Sequence, residues 1–419
     1  MRKLTVKNFS VIKEAELEFG KITVLIGPQA SGKSLLCKLA YFFGQLVPEA
    51  VNGLLLLRMS PNKLQDVVAG EFKERFPTEA WGPRDSEITY ESASYRVTLR
   101  TQSESKRCAI EFSRAFVEKY QGWVKLHGAE GSAKETIRAL KTGGMSVAGP
   151  FHFEESVFIP TGRSFFSTPN RGFFSVSGKN LDWITQRFSS EIDWEYRSLL
   201  EPSGPSSDLL PQFLEEAAHI LGGRVIRENG LLLFRSESDG RALPFQLLSS
   251  GTMELLPLLN PLANLVFNVS SNPLNVWSKS SPGFGPIFVE EPELSIFPES
   301  QYLLMRLFAW LSSEHRLDFP FAITTHSPYT LSSFNNLIMA GQLAKERPEL
   351  RDEVAQLVPE RFWIENGSFR AYCIHDGELK SILSESGLID GEYLDSVSDT
   401  IGNEFDSLLR LEYDHTEAS

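Results

Sequence analysis

Apolar residues in the first 27 positions alternate and then run together. Leu4, Val6 and Phe9, followed by Ala15, Leu17 and Phe19, carry the two-residue period of half-buried strands, and Ile22–Ile26 is an unbroken apolar run that predicts a buried strand. Residues 33–47 read as a helix. Residues 48–150 are mixed. They hold a Pro/Gly/Trp break from Phe76 to Pro83, a hairpin around Ile88–Leu99 and a basic helical stretch from about Ile110 to Leu140, ended by Gly143-Gly144 and Gly149-Pro150. A core-like strand resumes within 154–168, and 180–222 reads as helical, broken by a loop at Pro202–Ser207. A hairpin follows at 225–234, then a Ser/Asn/Pro/Gly-rich loop at 269–285, a strand at Ile287–Val289, a helix at about 299–314 and a strand at Phe319–Thr324. Strands and helices interleaved in this way predict an α/β fold.

The strand at Ile22–Ile26 runs straight into Gly27-Pro-Gln-Ala-Ser-Gly-Lys-Ser34, so a phosphate-binding loop sits in the strand–loop–helix context its chemistry requires. Backbone N–H groups between Gly27 and Gly32, with the positive end of the next helix, can cradle a β-phosphate. Lys33 can reach the β- and γ-phosphates, and Ser34 can hold Mg²⁺. Three further stretches follow in order. Leu248-Ser-Ser-Gly-Thr-Met-Glu254 taken alone is an ordinary helix N-cap. Ile287-Phe-Val-Glu-Glu-Pro-Glu293 ends an apolar strand in two carboxylates; downstream of a phosphate loop, Glu290 can hold Mg²⁺ or its water shell and Glu291 can orient or deprotonate an attacking water. Phe321-Ala-Ile-Thr-Thr-His-Ser-Pro328 ends another strand in a polar run, placing His326 where open α/β sheets bind ligands.

The chain has 419 residues and a net charge of −13, distributed unevenly. From Asp376 to Glu417 there are twelve acidic residues against Lys380 and Arg410, whereas Lys106 to Lys141 holds eight basic and four acidic residues. Such polarity suits two solvated faces or two partner surfaces. No apolar stretch reaches the roughly 18 residues that span a bilayer. The three cysteines, Cys37, Cys108 and Cys373, are widely separated and read as reduced thiols; with no signal peptide at Met1, a cytoplasmic location is expected and no membrane partner. The seven histidines never pair at ligand spacing, which argues against a protein-built zinc site.

The order of phosphate loop, Ser-Ser-Gly, Glu-Glu-Pro-Glu and Thr-His-Ser-Pro resembles the ABC-type ATPases of the SMC and RecF group. With Phe158-Ile-Pro-Thr-Gly-Arg-Ser164 and the opening Val6-Lys-Asn-Phe9, it is more closely similar to the short "overcoming lysogenization defect"-like ATPases of anti-phage systems such as PARIS and Septu. The resemblance covers roughly residues 1–340. It implies an ABC-type P-loop ATPase head with a mixed sheet: 1–47 and 151–340 form the head, 48–150 an insertion lobe, and 341–419 a small acidic region serving as a partner or assembly surface. It further implies ATP and Mg²⁺ as ligands and a homodimer, or a higher oligomer, closed head to tail over two nucleotides. Lys33 and Ser34 of one copy would face Ser249, Ser250 and Gly251 of the other; Glu290 would be the metal-binding acid, Glu291 the general base and His326 the γ-phosphate sensor. Ser250 and Thr252 stand where the signature usually has Gly and Gln, Glu290 stands where many relatives have Asp, and no glutamine is assigned to the Q-loop, Gln45 being too near the phosphate loop. Without sustained heptads between Ser34 and Leu248, long SMC-type arms are excluded.

On this basis the leading expectation is an ATP-driven sensor or scaffold that controls a separately encoded nuclease or toxin in response to a phage-derived trigger protein. The alternative is a stand-alone ATPase that binds DNA through Lys106–Lys141, where Tyr120 and Trp123 interleave the basic residues. A third reading, a nuclease built on the acidic C-terminus, lacks a convincing metal motif: Asp390, Asp395, Asp399 and Asp406 read as the exposed face of a helix whose apolar face is Leu394, Ile401, Phe405, Leu408 and Leu409.

Overall fold

A computed structural model describes residues 2–57, 59–127, 151, 153–167, 181–193, 195–200, 208–271, 284–390 and 403–408. The first elements are the strands β1 (Arg2–Phe9), β2 (Ile12–Phe19) and β3 (Ile22–Ile26), then the helices α1 (Lys33–Tyr41), α2 (Val47–Leu56) and α3 (Pro61–Arg75). Strands β4 (Ser86–Glu91), β5 (Arg96–Gln102) and β6 (Arg107–Phe112) precede α4 (Arg114–His127), β7 (Glu155–Ile159), α5 (Trp183–Glu191) and α6 (Leu209–Leu221). A small sheet of β8 (Gly223–Glu228), β9 (Leu231–Ser236) and β10 (Ala242–Leu243) leads to α7 (Ser250–Ser271). The chain continues through β11 (Phe284–Glu290), α8 (Pro298–Ser313), β12 (Phe321–Thr324), α9 (Pro328–Glu346), α10 (Arg351–Leu357), β13 (Phe369–His375) and β14 (Glu378–Ser381).

Among the described residues one sheet of eleven strands organises the fold, in the order β6-β5-β4-β1-β2-β14-β13-β3-β12-β11-β7. From β13 to β7 every neighbouring pair is parallel, whereas β6, β5, β4, β1 and β2 are antiparallel to one another, so the α/β fold has the mixed sheet expected of it. The patterning explains the division. β1 buries only Leu4, Val6 and Phe9, whereas β11 and β12 are buried along their whole length and β3 at its first four residues. Alternate residues of these buried strands feed two cores. Ile22, Val24, Ile287, Val289, Phe321 and Ile323 pack with Phe213, Leu256, Phe308 and Phe334 on one face. Leu25, Phe288 and Ala322 pack with Leu36, Tyr41 and Phe72 on the other.

Several elements differ from expectation. The hairpin at 88–99 is a three-stranded meander that joins the main sheet where β4 pairs with β1. Ile110 therefore lies in a strand, and the basic helix begins only at Arg114; residues 128–150, with Lys134 and Arg138, lie outside the described residues. The helix after the loop does not stop at 47. A π-turn at Phe42–Leu46 carries α1 into α2, which has Pro48 in its first turn, where a missing N–H is harmless. Within that turn Gln45 Oε1 accepts the Ser156 N–H at 2.7 Å, tying it to β7. Among the described residues no helix is long and apolar enough to cross a membrane.

The sheet also runs through the boundaries drawn at 48 and 341. β13 pairs in parallel with β3, from Phe369 opposite Ile22 to Cys373 opposite Ile26, so part of the region beyond 341 flanks the strand that carries the phosphate loop. Acidity masked this, because the two short strands lie among charged residues. Of the expected C-terminal helix, residues 403–408 are helical with Phe405 and Leu408 exposed; Leu394, Asp395, Asp399, Ile401 and Leu409 lie outside the described residues. Cutting the chain after residue 340 removes the buried Phe362, Ile364, Phe369, Ala371 and Ile374. At about 1.5–3 kcal/mol per large apolar side chain this rivals the whole stability of a domain. The truncated protein is therefore expected to show no cooperative urea transition by circular dichroism, where the full chain shows one.

Candidate functional site

Parallel strands bring their C-terminal ends to one edge. Leu25 of β3 is in register with Thr324 of β12, Thr324 with Glu290 of β11, and Val289 of β11 with Ile159 of β7. The residues that follow, Gly27, Thr325-His326, Glu291 and Pro160–Arg163, therefore emerge side by side, where open α/β sheets bind ligands.

The loop after β3 depends on its glycines. Gly27 has φ +151°, and a Cβ there would stand 2.3 Å from the Ile374 carbonyl oxygen of β13. Gly32, at φ +109°, caps the start of α1. Lys33, the first residue of α1, is buried and folds its ammonium back over the loop, donating to the carbonyls of Gly27 at 2.6 Å and Pro28 at 2.8 Å. Burial lowers its pKa, against the raising fields of Glu291, Cys373 and Glu293. Ser34 follows in the first turn, half-buried.

Glu290 closes β11 almost out of solvent. Its Oε2 accepts the Thr161 N–H at 3.2 Å, while its Oε1 is buried without a hydrogen-bond partner. A buried carboxylate oxygen left unpaired beside a glycine-rich phosphate loop fits a divalent cation held with Ser34. Glu291 has φ +41°, a left-handed conformation uncommon for a residue with a side chain. Its N–H donates to the Thr324 carbonyl at 2.9 Å, and its Oε1 lies 3.5 Å from His326 Nε2. The two residues expected from the sequence to serve catalysis thus meet across neighbouring strand ends.

The Ser249–Gly251 stretch opens α7. Ser249 Oγ accepts the Thr252 N–H at 3.2 Å, the N-cap read from the sequence, and Ser250 is exposed beside it. Gly251 packs tightly on the turn after β11, where a Cβ would stand 2.9 Å from the Ser295 carbonyl oxygen. This contact joins the opening of α7 to the segment that follows Glu290 and Glu291.

Two residues of the site carried no role in the sequence reading. Glu293 Oε1 accepts both the Thr325 hydroxyl and the His326 N–H, each at 2.7 Å, and so fixes the backbone from which His326 projects. Arg163 is fully buried and donates to backbone carbonyls of Pro160, Glu254, Glu290 and Glu291. Glu293 was in view as the last letter of a motif; Arg163 was in view only within Phe158–Ser164. Their acceptors and donors come from distant segments, so neither role had a local signal. Among the described residues no group of three or more His, Cys, Asp or Glu is placed to hold a metal ion by itself.

The chain matches no family profile and no curated protein sequence. Among solved structures it is similar to the SMC head domain of Thermotoga maritima, at 14% identity with a TM-score of 0.38, covering 91% of this chain and 98% of that one. It is also similar to an SMC head bound to the C-terminal winged-helix domain of ScpA, at 13% identity with a TM-score of 0.42, covering 91% and 96%. A third similarity is to a dimeric bacterial ABC transporter cassette, at 10% identity with a TM-score of 0.31, covering 91% and 99%.

Glu293→Ala deprives a hydroxyl and a backbone N–H of their acceptor and is expected to cost about 1–3 kcal/mol in a urea melt. His326→Ala removes a partly exposed side chain that bears no such burden, and its stability is expected to stay within about 0.5 kcal/mol of the parent.

Proposed function

We propose that the protein is an ABC-type ATPase that binds Mg²⁺-ATP and hydrolyses it to ADP and phosphate. The observation that carries this reading is the meeting of Glu291 and His326, 3.5 Å apart, on the sheet edge where the Gly27–Ser34 loop emerges. In this reading the loop N–H groups and Lys33 hold the β- and γ-phosphates, and incoming phosphate oxygens take over the Lys33 ammonium from the carbonyls it now touches. Ser34 and Glu290 would hold Mg²⁺, which when bound neutralises charge on the phosphate oxygens. Glu291 orients a water toward the γ-phosphorus and accepts its proton, while His326 contacts the γ-phosphate and donates a hydrogen bond to its developing charge. Ser249–Gly251, with both serines exposed at the start of α7, supply helix-terminal N–H groups to the nucleotide of a second copy, making the working unit a head-to-tail homodimer.

The site's chemistry makes a nucleotide-gated switch. The motif order and the polarised charge support a sensor or scaffold in an anti-phage complex, which holds a separately encoded effector until a phage-derived protein triggers it. Lys33→Ala is expected to abolish ATP binding by calorimetry. Glu291→Gln is expected to keep binding but lose about 10²-fold or more in turnover, and with ATP its native mass should be that of two chains or more. Expressed with its neighbouring genes, that trapped form should carry a second polypeptide. A monomer with ATP bound would sink the sandwich, and a bare dimer would favour the DNA-acting alternative.

A further inference from the structure

Arg163 sits at the junction of the two halves of the proposed site. It lies just past β7, and its guanidinium is fully buried. Nε donates to the Glu254 carbonyl at 3.2 Å; Nη1 donates to the carbonyls of Pro160 at 3.2 Å and Glu290 at 2.8 Å; Nη2 donates to the carbonyl of Glu291 at 3.0 Å. The Glu254 carboxylate is 3.5 Å from Nε. A guanidinium is kept in such a place only when its planar fork of donors finds acceptors, and these come from three separate segments.

Two of those segments are the ones that matter chemically. Glu290 ends β11 and Glu291 follows it, and Glu254 lies in the opening turns of α7, just beyond Ser249–Gly251. Glu291 is held at φ +41° from both sides, its N–H bound to the Thr324 carbonyl and its own carbonyl to Arg163. Such a conformation persists where the surroundings impose it. The contact of Gly251 with the Ser295 carbonyl makes a second bridge between the same two segments.

We infer that Arg163 is a positioning residue that locks the Glu290–Glu291 turn to the opening of α7, so that the two move as one body. The inference rests on the ATPase reading. In a head-to-tail pair Glu291 serves its own copy's nucleotide and Ser249–Gly251 serve the partner's, so Arg163 mechanically links one composite site to the other. A lysine keeps the charge but lacks the fork, and can satisfy only part of this set.

The test compares wild-type full chain, Arg163→Lys and Glu254→Gln in steady-state ATP hydrolysis, well below all three melting temperatures, with ATP affinity measured by calorimetry. Arg163→Lys is expected to lose about 10²-fold in kcat while KM and affinity stay within about 3-fold. Glu254→Gln, which keeps all four carbonyl contacts, is expected to lower the melting temperature yet hold kcat within about 3-fold. A purely structural Arg163 would lower the melting temperature and leave kcat unchanged, and that result overturns the inference, as does an equal change in KM. If wild-type protein hydrolyses no ATP, the ATPase reading fails instead, which is a separate result. Should Arg163→Lys not fold, hydrogen exchange on wild-type protein decides: adding a non-hydrolysable ATP analogue should slow amides of 251–256 and 290–293 together, and slowing in only one segment refutes the link.

Discussion

Strands buried on both faces have few ways to be satisfied, and this constraint organises the protein. β3, β11 and β12 are apolar along their buried length apart from Thr23, Glu290 and Thr324, so they belong in the middle of a sheet with helices on either side. α8 joins β11 to its parallel neighbour β12, β3 pairs parallel with β12, and parallel neighbours finish on one edge. Every polar residue that follows such a strand is delivered there, whether or not it is near the others in sequence. The glycine-rich loop, the paired glutamates and the histidine are thus assembled by the apolar segments that precede them.

That edge holds several acidic groups and two cations in little solvent, and the neighbouring backbone stabilises them. Arg163 is satisfied mainly by carbonyl oxygens, and Glu293 Oε1 by a hydroxyl and an N–H, while Glu293 Oε2 is buried without a partner. Burial lowers the pKa of Arg163, and the carboxylates of Glu254, Glu293, Glu290 and Glu291 oppose that fall. A cluster of this kind is rigid, because moving one member exposes another to a desolvation cost. Rigidity suits the proposed hydrolysis, which depends on where a water is held more than on covalent chemistry.

Local signals account for what could be read in advance. Gly27–Ser34 announces its conformation through its glycines, and β1 to β3 announce theirs through apolar spacing. Glu290, Glu291 and His326 were readable because each follows a recognisable strand. Arg163 was not, because its acceptors lie up to 128 residues away and a buried arginine looks like any surface arginine in sequence. The strand at Phe369–His375 was hidden for a different reason: its alternation is short and set in a stretch whose charge suggested an exposed surface. Ile110 reads as helical in sequence because the basic run around it outweighs the two-residue period of Arg107–Phe112.

The π-turn at Phe42–Leu46 has a bearing on solubility. β7 is the last strand of the sheet beyond β11, and an outermost strand offers a ladder of free N–H and C=O groups to any passing chain. The wide turn swings Gln45 over that border, where its side-chain carbonyl occupies the Ser156 N–H, while its amide donates to Glu49, itself paired with Arg187. The far border is guarded differently: Arg107 and Glu111 project from β6 into solvent. Among the described residues the two margins of this sheet thus carry different obstacles to pairing, an occupied N–H at one and exposed charge at the other, each of which works against edge-to-edge stacking of copies.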